Sequence, residues 1–212
     1  MPRSWKRIER RFFAEPPEIV APLLLGKLLV RRTVNGWMAG RIVEVEAYYG
    51  PHSPIPDPAA HSFRGVTPRN AVMFGPPGHA YVYFIYGMYY CVNVTCEPEG
   101  LAGCILIRAL EPVLGQAEMA AHRKLARSAS GAKLTGGPGR LCQALAITRP
   151  EHNGLDLLDP ESALQLRQDG FLSGTIEITP RIGIRHAAYL PLRFALAGNP
   201  CVSRLRPARI PV

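Results

Sequence analysis

The pattern of hydrophobic and polar positions predicts a short helix and a β-hairpin near the start of the chain. Residues 17–25 are mostly apolar and read as a helix that stops just before a glycine. Residues 27–32 and 37–48 read as two strands, and Asn35-Gly36 between them favours a tight turn. We therefore expect these two strands to pair in an antiparallel manner.

The same patterning predicts a second hairpin, with strands at 80–86 and 89–95 and a turn around Gly87. The remaining predicted elements are a strand at 103–110, helices at 113–128 and 136–146, and short strands around 175–179 and 192–197. Strands occur in runs joined by tight turns and do not alternate with helices, so the fold class is α+β. We expect a curved, mostly antiparallel sheet with surrounding helices and one protruding hairpin.

Length and composition are those of a folded protein. The chain has 212 residues, of which 47% are apolar and 19% are charged, and this balance excludes a wholly disordered chain. We expect a single domain over residues 1–212, in which residues 1–14 form a mobile basic segment. Residues 70–96 lack Asp, Glu, Lys and Arg but contain several glycines and prolines, so we do not expect them to span a membrane.

The charge balance indicates an anionic partner. Lys and Arg number 25 against 16 Asp and Glu, which gives a net charge of +9. Such a surplus favours nucleic acid first and an acidic membrane second. A protein that is merely basic would show the same balance.

The cysteines indicate reduced thiols. Their number, five, is odd and includes no C-x-x-C pair, which argues against a disulfide framework and against a standard zinc site. No apolar signal core follows the basic N-terminus. We therefore expect a cytoplasmic protein.

The strand at 43–48 carries the first candidate chemistry. Its alternation places Glu44, Glu46 and Tyr48 on one face and apolar residues on the other. Two carboxylates and a tyrosine at the mouth of a loop could build a site. The same pattern also describes a face that simply contacts solvent.

A cluster of tyrosines lies in the second predicted hairpin, where five of the eight tyrosines fall within residues 81–90. Such residues could simply fill a core. Tyr86, however, falls at the predicted tip, where a large aromatic side chain would be exposed. On a basic protein, exposed aromatic rings are suited to stacking on nucleic-acid bases.

Two further features of the sequence are candidates for a role in binding: a basic, glycine-rich segment and an isolated histidine. Lys133 and Arg140 flank the glycine-rich stretch 136–139, in which a proline at the start of a helix leaves N–H groups free for an anion such as a DNA phosphate. His61 stands in a long loop after the Glu46 strand, as an isolated histidine without metal-ligand spacing.

Several short segments occur together in a recognisable order. They are R-I-V-E-V-E-A-Y at 41–48, A-A-H-S at 59–62, T-P-R-N at 67–70, P-G at 77–78, Y-V-Y-F-I-Y-G-M-Y at 81–89, C-V-N at 91–93, R-A-L-E-P at 108–112, G-P at 137–138, L-C-Q-A-L-A at 141–146 and R-I-G-I at 181–184. In this combination the chain resembles the alkyladenine (3-methyladenine) DNA glycosylase family from about residue 15 to about residue 203. The loop 51–58 departs from the family pattern.

The resemblance implies a base-excision repair enzyme that acts on double-stranded DNA containing damaged purines. Such an enzyme flips the purine out of the duplex and hydrolyses its N-glycosidic bond, leaving an abasic site. By resemblance, Glu46 is the general base that deprotonates the attacking water. Arg108 and the backbone carbonyl of Ile182 help to hold that water.

The resemblance also implies a pocket for the flipped base. Tyr48 and His61 sandwich the base, and Tyr83 forms a third aromatic wall. Asn93 rejects guanine by clashing with its 2-amino group. Tyr86 fills the space that the base leaves in the duplex.

The residue types agree with hydrolysis by water. A glycosylase with lyase activity needs an amine for a Schiff base, and none of the four lysines stands in a site motif. We therefore expect a monofunctional enzyme. We also expect a monomer without a metal or other cofactor. Two alternatives stay open: a non-catalytic nucleic-acid module, and a metal-dependent nuclease with Glu44 and Glu46 as ligands. The sequence does not rank 3-methyladenine, 7-methylguanine, hypoxanthine and ethenoadenine as substrates.

Overall fold

A nine-stranded sheet is the frame of the part of the chain that the structure, a computed structural model, describes: residue 2 and residues 4–203. The strands are β1 (Lys6–Arg7), β2 (Leu28–Thr33), β3 (Gly36–Tyr48), β4 (Ala80–Ile85), β5 (Tyr89–Cys96), β6 (Gly103–Leu114), β7 (Leu164–Gln168), β8 (Ile176–Thr179) and β9 (Arg193–Leu196). Their order is β1-β7-β2-β3-β6-β5-β4, and β9 pairs with both β3 and β8. All these pairings are antiparallel.

Short helices accompany the sheet. They are α1 (Pro17–Leu24), α2 (Gln116–His122), α3 (Gly131–Thr135), α4 (Pro138–Ala144) and α5 (Arg149–His152), with 3₁₀ turns at Arg10–Phe13 and Ala71–Phe74. One large apolar cluster joins α1 and α4 to the central strands, with buried members such as Leu24, Ile107 and Leu141. Burying a side chain of this size contributes roughly 1.5–3 kcal/mol. The predicted α+β class and the two predicted hairpins are confirmed.

The helix predicted over 113–128 is wrong at both ends. Val113 and Leu114 continue strand β6, and Gly115 turns the chain into α2 with a φ of +80°. Helix α2 ends at His122, and Lys124 then adopts a φ of +52°. Because that left-handed conformation cannot continue a right-handed helix, the apolar residues after it pack without helical order.

The N-terminal residues lie against the far edge of the sheet. Lys6–Arg7 forms β1 and pairs with Gln168 and Arg167 of β7. Phe13 is completely buried in the main core. Lys6–Arg7 and Phe13 therefore pack on the domain, and the mobility that the sequence predicts over 1–14 stays a prediction.

Strand β3 runs through the centre of the sheet and positions the candidate site. One of its edges pairs with β2 near its start and with β9 over Glu44–Glu46, and its other edge pairs with β6. The register with β6 shifts on both sides of Glu44. Such bulges re-aim side chains, and both Glu44 and Glu46 contact Arg108 of β6. No helix among the described residues is long and apolar enough to cross a membrane.

Candidate active site

Glu46 lies at the centre of the site and is completely buried. Its Oε1 atom accepts a hydrogen bond from the Ile182 backbone N–H at 2.7 Å and forms an ion pair with Arg108 Nη1 at 3.1 Å. Its Oε2 atom accepts the Tyr48 hydroxyl at 2.9 Å. Each carboxylate oxygen has about two acceptor positions, so Oε2 retains one for a further donor such as water. The contact from Ile182 is made by its N–H, whereas the resemblance assigns a role to its carbonyl.

Glu44 is the second buried carboxylate of the same strand. Its Oε1 atom accepts hydrogen bonds from Arg108 Nε at 2.9 Å and Arg193 Nε at 2.7 Å, and its Oε2 atom accepts the Ser203 N–H at 2.7 Å. Arg108 thus bridges Glu44 and Glu46. The polar face of β3 is an internal charged cluster and not the solvent-facing surface that its alternation also allowed.

The charges of this cluster keep Glu44 and Arg108 ionised. Burial acts to raise the pKa of Glu44, but Arg108, the Ser203 amide and Arg193 outweigh burial and hold that pKa below its usual value. Burial likewise opposes charge on Arg108, yet the two carboxylates raise its pKa. Burial and the nearby Glu46 charge raise the pKa of the Tyr48 hydroxyl. Tyr48 therefore keeps its proton and remains a donor to Glu46.

A cavity of about 490 Å³ borders the charged cluster, and this volume is in the range of small-molecule sites. It is lined by seven residues that the resemblance implicates, namely Tyr48, His61, Tyr83, Tyr86, Asn93, Arg108 and Ile182. Glu46 does not line the cavity, but it is hydrogen-bonded to two residues that do, Tyr48 and Ile182, and ion-paired with a third, Arg108. The structure therefore brings these eight residues together, from segments that are far apart in the sequence.

Aromatic rings form much of the cavity wall. Tyr81 and Tyr83 stack with their centroids 5.6 Å apart, and His61 meets Tyr83 edge-on at 4.6 Å. His61 Nδ1 lies 2.9 Å from the Tyr81 hydroxyl. Burial lowers the pKa of His61, and the charge of Arg69 lowers it further. The imidazole is therefore a neutral ring at pH 7.

Asn70 holds the loop that carries His61. Its Nδ2 donates to the backbone carbonyls of His61 at 2.8 Å and Gly65 at 3.0 Å. Its Oδ1 accepts the Thr67 N–H at 2.6 Å. The segment T-P-R-N thus supports one wall of the cavity, and its Arg69 guanidinium lies 5.7 Å from the Tyr83 ring centroid.

Asn93 is a buried amide on the cavity wall. Its Nδ2 donates to the Tyr81 carbonyl at 3.0 Å. Its Oδ1 lies 3.9 Å from the Cys104 thiol, which is the donor. With both ends of the amide engaged, the side chain is fixed in one orientation.

Tyr86 stands at the tip of the β4–β5 hairpin with 79% of its surface exposed. Tyr86 and Gly87 have φ values of +54° and +66°, and the Met88 N–H donates to the Ile85 carbonyl at 3.3 Å. Turns of this kind favour Asn or Gly, because a left-handed conformation costs another residue about 1–2 kcal/mol. The tyrosine is therefore held in a strained and exposed position.

Lys133 and Arg140 are exposed and lie on α3 and α4. Neither residue lines the cavity, whereas Pro138 and Gly139 at the start of α4 do. Gly139 packs so closely on Tyr89 that an added Cβ would lie 2.9 Å from that ring. The two basic side chains thus flank a segment at the cavity wall.

Sequence reasoning assigned no role to Tyr81, Arg69 or Arg193. Tyr81 could have been found, because it stands two residues before Tyr83 on the same face of β4. No sequence signal marks Arg193, whose contact with Glu44 joins residues 149 positions apart.

Among the described residues, no group of three or more His, Cys, Asp or Glu side chains could hold a metal ion.

Comparisons with known proteins agree over most of the chain. A family model described as methylpurine-DNA glycosylase matches residues 11–200. The chain is 52% identical over 210 residues to a protein of Koribacter versatilis (strain Ellin345), a match that covers 97% of this chain and 99% of that protein. It is 50% identical over 198 residues to a protein of Rhodopseudomonas palustris (strain HaA2), covering 92% and 90%. It is 44% identical over 206 residues to a protein of Methanocella arvoryzae, covering 96% and 98%. All three carry the name "Putative 3-methyladenine DNA glycosylase".

Proposed function

We infer that this chain, which belongs to the methylpurine-DNA glycosylase family and is a DNA glycosylase for alkylated bases, flips the damaged purine into the aromatic cavity. There it hydrolyses the N-glycosidic bond with a water molecule that Glu46 activates. The observation that carries this proposal is the buried Glu46 carboxylate behind a cavity lined by Tyr48, His61 and Tyr83.

The aromatic walls supply the binding energy for the flipped base. Taking a base out of the stack costs a few kcal/mol, and this cost is smallest for damaged or mispaired bases. Stacking one base on an aromatic ring returns about 1–3 kcal/mol. The exposed Lys133 and Arg140 side chains are suited to contact the DNA phosphates beside the cavity.

Glu46 supports the chemical step in two ways. The glycosidic carbon becomes positively charged as its bond to the base breaks, and a nearby carboxylate stabilises that charge. The free acceptor position of Oε2 suits a water molecule. As the water oxygen bonds to the sugar carbon, Glu46 takes its proton, and the electron pair of the broken bond leaves with the base.

The direct test is to incubate the protein in EDTA with duplexes that carry one damaged purine, and to measure free base. We expect free base and an intact backbone with an abasic site. A nuclease would cut the backbone and require metal, and a binding module would release nothing. The structure disfavours metal binding by the two glutamates, because Arg108 and Arg193 already neutralise them.

We expect Tyr86→Ser to shift the flipping equilibrium towards the stacked base by about one to two powers of ten. The reason is that Tyr86 fills the vacated space, and a stacked ring there contributes about 1–3 kcal/mol. The chemical step after flipping should not change. The measurement is stopped-flow fluorescence of 2-aminopurine beside an ethenoadenine lesion.

Leu172→Ser is the control for the Tyr86 variant, because Leu172 is 89% exposed and does not line the cavity. It should leave flipping unchanged. The effect of Tyr86→Ser should also shrink when the lesion lies in single-stranded DNA, where little stacking is lost. Equal flipping equilibria for Tyr86→Ser and the wild type would contradict the role of Tyr86.

We expect Asn93→Ser to weaken discrimination against guanine-derived bases. The smaller side chain leaves room for a 2-amino group, whereas the fixed amide of Asn93 occupies that space. The measurement is excision of guanine mispaired with thymine, relative to hypoxanthine. Asn153→Ser is the control, because Asn153 also bonds to the backbone of β4 (Val82 N–H to Oδ1, 2.9 Å) but does not line the cavity. An unchanged guanine-to-hypoxanthine ratio in Asn93→Ser would refute the steric argument.

A further inference from the structure

Arg181 is a fully buried arginine behind the ring of Tyr48. Its guanidinium forms a two-pronged ion pair with Asp57, with Nη1 and Nη2 at 2.7 and 2.8 Å from the two carboxylate oxygens. Nη1 also donates to the Ala47 carbonyl at 3.0 Å. The guanidinium carbon lies 4.5 Å from the Tyr48 ring centroid. The proposed chemistry gives no role to this buried ion pair.

Asp57 in turn organises the loop that leads to His61. Its Oδ2 accepts the Tyr49 N–H at 3.1 Å, and its Oδ1 accepts the Ala59 N–H at 3.3 Å. Its backbone carbonyl accepts the Ala60 N–H at 2.9 Å. The position of His61 therefore depends on a turn that is built on Asp57.

The backbone after Arg181 reaches the catalytic carboxylate. The next residue, Ile182, donates its N–H to Glu46 at 2.7 Å. One arginine thus connects the Tyr48 ring, the His61 loop and the segment that contacts Glu46. A planar guanidinium can bind a carboxylate with two prongs and lie over a ring at the same time, which allows one side chain to make all these contacts.

We propose that Arg181, held by Asp57, is a positioning residue that presets the slot between Tyr48 and His61 in which the flipped base stacks. This inference rests on the proposed function and extends it to a residue that does not touch the base. Lysine cannot replace arginine here, because its ammonium group can neither form the two-pronged pair nor lie flat against the ring.

The role proposed for Arg181 should be visible in how tightly the protein binds a flipped base. A slot that is no longer preset should bind a flipped base less well, because the rings must be ordered when the base arrives. DNA that lacks a base at the lesion site does not use the slot. If a variant loses affinity only for DNA that carries a lesion base, the residue therefore positions the slot and does not have a general structural role.

The experiment compares Arg181→Lys and Asp57→Asn with the wild type on two duplexes. One carries a 2′-fluoro ethenoadenine nucleotide, whose glycosidic bond resists hydrolysis, and the other carries a tetrahydrofuran abasic analogue. We expect both variants to bind the ethenoadenine duplex about tenfold more weakly. This factor lies near the lower end of what the loss of one base–aromatic contact would cause. Binding to the abasic analogue should change less than twofold.

The chain offers a matched control in Arg41. This residue forms a two-pronged pair with Asp169 at 3.1 and 2.9 Å and lies 4.0 Å from the Phe171 ring centroid, and none of the three lines the cavity. Arg41→Lys removes the same kind of contact elsewhere and should bind both duplexes as the wild type does.

Two results would overturn the proposal: equal weakening on both duplexes, or no weakening on either. Thermal unfolding of each variant shows whether it is folded at the assay temperature. Asp57→Asn removes the charge but keeps the size of the side chain, so it provides the test if Arg181→Lys is unfolded. Base release by the wild type is measured in parallel on ordinary ethenoadenine DNA. A wild type without base release would count against the proposed function, whereas the two-duplex comparison tests the slot separately.

Discussion

Glu46→Gln should bind a lesion duplex as the wild type does and release its base about 10²–10⁴-fold more slowly, which is the usual contribution of a general base. The amide keeps the size of the side chain, and its oxygen can still accept the hydrogen bond from the Ile182 N–H and lie beside Arg108. Its NH₂ group can donate to Tyr48, because a hydroxyl can rotate and become the acceptor. The variant cannot, however, take a proton from water. The measurement is single-turnover release of ethenoadenine together with equilibrium binding of the same duplex.

Glu161→Gln is the control for this substitution, because the Glu161 side chain is 80% exposed and lies outside the cavity. It should release base at the wild-type rate. If Glu46→Gln also released base at nearly that rate, Glu46 would not be the base and the proposed chemistry would have to be abandoned. Weak lesion binding by Glu46→Gln would instead indicate that Glu46 holds the cavity together.

Glu44→Ala should lower the free energy of unfolding by about 3–5 kcal/mol, which is typical when one partner of a buried ion pair is removed. Arg193 would then be buried without a carboxylate, since Glu44 is the acceptor for its Nε. The Ser203 N–H would also lose its acceptor. Chemical denaturation at neutral pH measures the loss. The control is Glu161→Ala, which breaks an exposed pair with Arg32 and should cost clearly less.

The same ion pair predicts how stability depends on pH. The pKa of Glu44 in the folded protein lies below its usual value of 4.5, so the unfolded chain binds the proton more readily. The stabilisation by Glu44 is therefore present above pH 4.5 and is lost as the pH falls through the lower, folded pKa. The stability difference between wild type and Glu44→Ala should narrow over that range. A difference that stays constant down to the acid unfolding of the protein would show that Glu44 is not ionised in the folded state.

The sequence predicts the local parts of the fold well. The turn at Asn35-Gly36 and the alternation of β3 lie within short stretches, and the structure has both hairpins where the pattern indicates them. Strand β7 was not predicted, because Gln165 and Arg167 look like exposed polar residues. They are buried and bond to each other instead, with Arg167 Nε 2.9 Å from Gln165 Oε1.

The candidate site, like the fold, could be predicted from the sequence only in part. The residues that the family motifs mark, such as His61 and Asn93, do line one cavity. The contacts of Arg193 and Arg181 could not be predicted, because their acidic partners are distant in the sequence and only the fold brings them close. A polar face on β3 was visible in the sequence. The sequence did not show whether that face contacts solvent or a pair of arginines, because its burial depends on the strands on either side.

The pairing of β3 with β9 also determines when the site forms during folding. Glu46 receives the Ile182 amide from 136 residues away, and Glu44 receives the Ser203 amide from 159 residues away. Closing such long loops is entropically unfavourable, and folds with many distant contacts form slowly. On the ribosome both carboxylates emerge long before their partners, so the growing chain must keep one edge of β3 open until β9 has been made. Activity should therefore appear only after β9 and Ser203 have been made and have joined β3.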